Sequence, residues 1–169
     1  MLVEEHRLDG VLKLPSGLFS PQNKVSTAVL FFTRTDSGGT DRVWFYDVRA
    51  DGRSLDDHRR ALLPEDRLGV RPEGGPLSAQ EHEHNNFPDV LARWRERTAS
   101  ELGRARTEQS FCVPRDEIAA QDYDLSLNRY KEIVYEEVEQ RPPGEILSQI
   151  KALDQEIRDA VTDLEGFLG

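Results

Sequence analysis

Apolar residues fall in short unbroken runs through the first fifty positions of this chain and recur at helical spacing only near its end. Leu8 to Leu14 (LDGVLKL), closed by Pro15 and Gly17, predicts a buried strand. Val25 to Thr33 (VSTAVLFFT) is nearly all apolar or β-branched, the pattern of a strand covered on both faces. The turn-rich stretch TDSGGTD then leads into Val43 to Val48 (VWFYDV), and two such runs around a short glycine-containing loop predict an antiparallel hairpin. From Arg53 to about Gln80 charge, proline and glycine dominate, which predicts a long loop of the kind that is functional or disordered. Asn86-Phe87-Pro88-Asp89 has the form of a helix start, with Val90, Leu91 and Trp94 on one face. Ser110 to Val113 predicts a short strand, and Pro114 opens a further helix.

Periodicity changes in the tail. Ile150, Leu153, Ile157, Ala160, Leu164 and Phe167 alternate spacings of three and four, the seam of a helix that packs lengthwise on others, as in a coiled coil. The pattern is equally that of a helix docked on its own domain and of one making an intersubunit contact. Pro142-Pro143-Gly144 separates it from what precedes, and no internal repeat occurs.

Composition narrows the classes. A chain of 169 residues with 37% hydrophobic and 32% charged residues supports one domain with a modest core and long polar connections. The single cysteine, Cys112, excludes an intrachain disulfide. The opening MLVEEHRLDG lacks a signal-peptide pattern, and the run Ala28 to Phe32 is too short to span a membrane, so a cytoplasmic protein is expected. Net charge is −10, of which residues 132–169, with ten acidic and three basic side chains, carry −7. Any contact with DNA would therefore come from the front part, where the balance is nearly even, or from a partner that supplies the positive surface.

Candidate chemistry is sparse. In Glu81-His82-Glu83-His84 two histidines at i and i+2 cannot converge on one helix face, so no metal site is expected. Asp56, Asp57 and His58 are adjacent, point apart, and read as a solvated charge run. No Walker or Rossmann glycine loop and no serine nucleophile elbow exist, so no catalytic residue is assigned.

Four blocks carry a resemblance: LDGVLKLPSGLFSPQNKVSTAVLFFTR, DRVWFYDVRADGRSLDDHRR, FPDVLARW and SFCVPRDEIAAQDYDLSLNRYKE. In this order, over about Leu8 to Glu132, they resemble the C-terminal part of the adenine-N6 DNA methyltransferase (M) subunit of type I restriction-modification systems. The resemblance implies an α/β fold: the C-terminal strands of a Rossmann-like methyltransferase sheet, including an antiparallel hairpin, over residues 1–50; a polar loop region over 51–85; a helical region with the YDLSLNRY block over 86–141; and a C-terminal amphipathic helix over 142–169. The family's glycine-rich loop for S-adenosylmethionine and its Asn-Pro-Pro-aromatic tetrad are both missing from the sequence. The cofactor is thus expected in the intact family protein and not in this chain, which reads as the end of the protein without its catalytic front.

The resemblance also assigns roles. Similar adenine methyltransferases place an aromatic residue against the flipped adenine, followed by a lysine near the DNA backbone, and Phe19 and Lys24 occupy those places. Phe19 could instead cap the core beneath its loop. The C-terminal helices of the family dock on the specificity subunit, here through Ile150, Leu153, Ile157 and Leu164, and two M subunits embrace the DNA. The alternative is a non-catalytic interaction module that only binds the specificity subunit.

Overall fold

A computed structural model describes residues 2–133 and 143–168. Two compact units divide the chain, Met1–Ile133 and Val134–Gly169. In the first, a short helix α1 (Leu2–Glu5) leads into strands β1 (Arg7–Leu14), β2 (Thr27–Thr33) and β3 (Arg42–Asp47), followed by helices α2 (Ala79–His84) and α3 (Phe87–Arg95). Strand β4 (Ser110–Pro114) and helices α4 (Arg115–Ala120) and α5 (Leu127–Tyr130) complete it; the second unit contains α6 (Pro143–Leu168).

The four strands form one mixed sheet in the order β2-β1-β3-β4. β1 runs parallel to β3, with Gly10 opposite Trp44 and Lys13 opposite Asp47. β2 is antiparallel to β1, and β4 to β3. The expected hairpin between Val25–Thr33 and Val43–Val48 is therefore replaced by one between β1 and β2, joined by the polar loop 15–26. The turn-rich segment does not close a hairpin; it carries the chain across the start of β1. Thr40 Oγ1 accepts from Leu8 N at 2.9 Å and donates to His6 O at 3.0 Å, while Gly38 N donates to Glu5 O at 2.9 Å. Gly38 has a φ of 77°, and a Cβ there would meet Glu4 O at 2.7 Å, so this crossing needs glycine.

Nor is β2 covered on both faces. It is an edge strand of the described sheet, with Val29, Leu30, Phe31 and Phe32 between 38% and 52% exposed. An apolar run announces burial without saying which neighbour supplies it.

Alternation along β3 builds two cores. Val43 and Phe45 join Val3, Leu8, Val11, Phe111, Val113, Ile118, Leu127 and Tyr130 in one cluster. Trp44 and Tyr46 join Leu12, Leu14 and Val48 in the other, against Leu18, Phe87, Val90 and Trp94. Gly10 permits the approach of α3, since a Cβ there would lie 2.8 Å from the Trp94 ring. Beside Trp44 the buried carboxylate of Glu101 accepts from Trp44 Nε1 (2.9 Å), Arg93 (3.0 Å) and the Ser110 hydroxyl, so its charge is paired and hydrogen-bonded.

The excursion read as loop between Arg53 and Gln80 is better organised than expected. A 3-10 turn occupies Glu65–Arg67, and α2 opens with a capping box between Ser78 and Glu81. Arg67 pairs with Glu81 at 2.7 Å, and that contact, with backbone donation from Ser78, holds the Glu81 carboxyl down to about 2. Two buried asparagines close the excursion: Asn85 Nδ2 donates to Arg67 O and Gly69 O, and Asn86 Oδ1 accepts from Arg49 N and Ala50 N. α3 starts at Phe87 with Asn86 as its cap, and β4 and α4 fall where Ser110–Val113 and Pro114 placed them.

Candidate nucleic-acid interface

Loop 15–26 leaves β1 at its C-terminal end and returns to β2. Three hydrogen bonds fold it tightly: Leu18 N to Pro15 O, Ser20 N to Gly17 O and Asn23 N to Phe19 O. Gly17, at a φ of 88°, passes so close to the Leu55 carbonyl that a Cβ would lie 2.2 Å from its oxygen. This turn sends neighbouring residues opposite ways. Leu18 packs on the Trp44 cluster, whereas Phe19 is 47% exposed. The side chain that covers the core beneath the loop is thus Leu18, and the Phe19 ring presents much of its surface to solvent.

Lys24 sits at the far side of the same turn and meets Asp57 at 2.8 Å. Its hydrogen bond holds the Asp57 carboxyl below the usual carboxylate range. Both groups are well exposed, so the pair is labile and an incoming anion can replace the carboxylate at little cost. Asp57, part of the run read as solvated charge, is a partner that no local pattern connects with Lys24.

At the ends of β1 and β3, three cations surround one carboxylate. Asp47 is nearly buried and lies 3.1 Å from Lys13, 2.7 Å from Lys131 and 3.6 Å from Arg49. Burial pushes its carboxyl up, but the hydrogen bonds from Lys131 and Lys13 outweigh that, and the net shift is downward. Lys13 Nζ also donates to Asn128 Oδ1 at 3.2 Å. Asn128 belongs to the YDLSLNRY block, which is largely a packing device: Leu127 and Tyr130 are buried, Tyr130 lies on Phe45 at 5.4 Å between ring centroids, and its hydroxyl donates to Asp124 O. Asp124 caps the turn through Ser126 N at 2.8 Å and pairs with Arg129 at 3.1 Å. The block thereby delivers Asn128 and Lys131 to the strand ends, where ligands bind in open α/β sheets. A cavity of about 490 Å³ is lined there by Lys13, Ser16, Ser26, Asp47, Arg49 and Asn128, among others.

S-adenosylmethionine, the cofactor that the resemblance implies, is a sulfonium with ribose hydroxyls to be held. The groups at these strand ends are cationic, and both oxygens of Asp47 are engaged, so they do not fit it. Among the described residues no group of His, Cys, Asp and Glu side chains could hold a metal ion, and no helix is long and apolar enough to cross a membrane. In the second unit, Ile150, Leu153 and Ile157 lie exposed along α6, with Leu147 and Val161 also exposed. Leu164 is on the same helix, but its side chain falls outside the described ones.

The chain belongs to the N-6 DNA methylase family, whose sequence profile matches residues 1–139. The methylase subunit of the type I restriction enzyme EcoEI from Escherichia coli is 26% identical over 171 aligned positions, covering 100% of this chain and 30% of that protein. Among solved structures, a chain from work on complex assembly and conformational transition of the type I R-M system is 26% identical, with a TM-score of 0.46 over 99% of this chain and 31% of that one. The methyltransferase subunit of a type I restriction-modification system from Streptococcus thermophilus is 19% identical, with a TM-score of 0.45 over 79% and 22%. The family match agrees with the resemblance stated from the sequence, and this chain spans under a third of the length of each of these relatives.

Proposed function

We propose that this chain is the C-terminal region of a type I restriction-modification adenine-N6 methyltransferase subunit, contributing target-base stacking and docking to the specificity subunit. The observation that carries the reading is the half-exposed Phe19 ring, turned out of the core by the Gly17 turn while Leu18 takes the core position. A flipped adenine loses its stacking partners and needs an aromatic face in exchange. Lys24, which among the described residues pairs with the exposed carboxylate of Asp57, is available to the neighbouring DNA backbone. Methyl transfer itself requires the cofactor loop and the Asn-Pro-Pro-aromatic tetrad, which these 169 residues do not include.

The test uses single-stranded DNA carrying 2-aminopurine. Stacking on Phe19 changes its fluorescence; Phe19→Trp preserves the change, and Phe19→Ala loses about 1–3 kcal/mol of binding, the usual worth of one base on an aromatic ring. Equal binding and equal fluorescence for the alanine variant would refute base stacking. The second reading, a module that only binds the specificity subunit, is favoured by the exposed apolar stripe of α6. It predicts capture of that subunit with no dependence on Phe19 and no binding of DNA.

A further inference from the structure

We infer that Lys13, Arg49 and Asn128 form a seat for a backbone phosphate of a nucleic-acid strand, beside the loop that presents Phe19. The inference deepens the base-stacking reading and rests on it for the identity of the strand.

The chemistry starts from Asp47. One buried carboxylate is satisfied by one or two cations, yet three stand within 3.6 Å of it. Lys131, the least exposed of them, closes one side of the carboxylate, and Lys13 closes the other. Two positive charges remain in excess, in a chain whose net charge is −10. The surplus lies on the accessible side. Lys13 is partly exposed and Arg49 largely so, and both line the 490 Å³ cavity at the strand ends. Arg49 reaches Asp47 only at 3.6 Å, too far for a hydrogen bond, which leaves its planar fork open to a bidentate ligand.

Neutral groups around it are oriented the same way. Asn128 Oδ1 accepts from Lys13, so its amide NH2 remains as a donor toward the cavity it lines. Ser16 adds a hydroxyl to the same lining. Asp47 has its oxygens taken, so the cavity offers donors and positive charge with no free carboxylate to repel an anion. That donor set matches a tetrahedral oxyanion with several acceptor oxygens. A strand is favoured over a small free phosphate by position: the cavity is lined by Pro15, Ser16 and Ser26, the two ends of the loop that carries Phe19 and Lys24. A phosphodiester held there lies on the path of a strand whose base meets Phe19.

The experiment measures binding of the 2-aminopurine oligonucleotide by this chain as a function of salt. The variants are Lys13→Gln, Arg49→Gln, their combination, and Arg49→Lys, each checked by circular dichroism. For single strands each lost phosphate contact lowers the slope of log K against log salt by about 0.7. The double variant should lose about that much in total, since both cations serve one phosphate, Arg49→Lys should retain most of it, and inorganic phosphate at equal concentration should compete poorly. An unchanged slope in the folded double variant would overturn the seat, even if Phe19-dependent fluorescence persists. A reduced slope without Phe19-dependent fluorescence would keep the seat and refute stacking alone. Competition by inorganic phosphate as effective as that of the strand would overturn the assignment to a strand.

Discussion

Phe31 of β2 rests against Trp94 of α3 with ring centroids 4.9 Å apart, yet 38% of Phe31 stays in solvent. One helix therefore covers only part of one face of an apolar edge strand. On the other face Leu30 and Phe32 are open, and the outer backbone edge of β2 has no partner strand in the described sheet.

An edge of this kind templates pairing with another chain. The isolated chain is expected to bind an apolar dye and to grow in size with concentration in light scattering. Replacing Leu30 and Phe32 by lysine should suppress both. A wild-type chain that stays monomeric and dye-free over a wide concentration range would refute the expectation.

Asp47 gives a pH signature. Its carboxyl titrates below the ordinary value in the folded chain, so the stability it contributes is present above the unfolded value near 4 and is lost as pH falls through the folded one. Asp47→Asn should cost about 1–3 kcal/mol at neutral pH, because one lysine meets an amide NH2 in place of its acceptor oxygen and both lose the opposing charge, and should flatten the acid limb of the stability curve below about pH 4. Denaturant melts of both proteins at several pH values measure this. Parallel acid limbs would count against it.

Glu101 is the most enclosed charge among the described residues. Glu101→Ala would leave the Trp44 indole N–H, the Ser110 hydroxyl and Arg93 without their shared acceptor. The expected loss is about 3–5 kcal/mol, the usual consequence of removing one member of a buried pair, read as a fall in melting temperature. A loss under about 1 kcal/mol would show that water replaces the carboxylate freely.

The α6 stripe separates docking from folding. Ile157 is 62% exposed, so Ile157→Asp should change stability by no more than about 0.5 kcal/mol, as surface substitutions do. Capture of the specificity subunit by the same variant should fail, because the aspartate would be buried in the joint. A variant that keeps both its stability and its partner would show the stripe to be idle.

Local patterns were the legible part of this fold. β1, β3, β4 and the start of α3 were readable because runs, alternation and caps are properties of neighbouring residues. Pairing was not: TDSGGTD has the composition of a hairpin turn, but Gly38 and Thr40 use it to cross the start of β1. α2 carried a readable signal in Ser78-x-x-Glu81, obscured by the prolines and glycines before it. Phe19 and Lys24 are assigned by the resemblance alone, while the Asp47 cluster carries no local sequence signal, since Lys131 reaches Asp47 from 84 positions away. Asp57 likewise comes to Lys24 across 33.

Between Asp47 and Ser110 the chain wanders before β4 returns to β3, and the two asparagines at 85 and 86 pin that excursion, Asn86 to Arg49 and Ala50 and Asn85 to Arg67 and Gly69. They split one long loop into two shorter ones, each closed at the sheet. Closure entropy rises only with the logarithm of loop length, about 0.6 kcal/mol per doubling. Residues added between Arg53 and Gly75 therefore alter the folding equilibrium little, provided the asparagine pin and the contacts of Leu55, Asp57, Arg67 and Gly69 remain. The length of this segment is free to grow without disturbing β3, Asp47 or the strand ends they build.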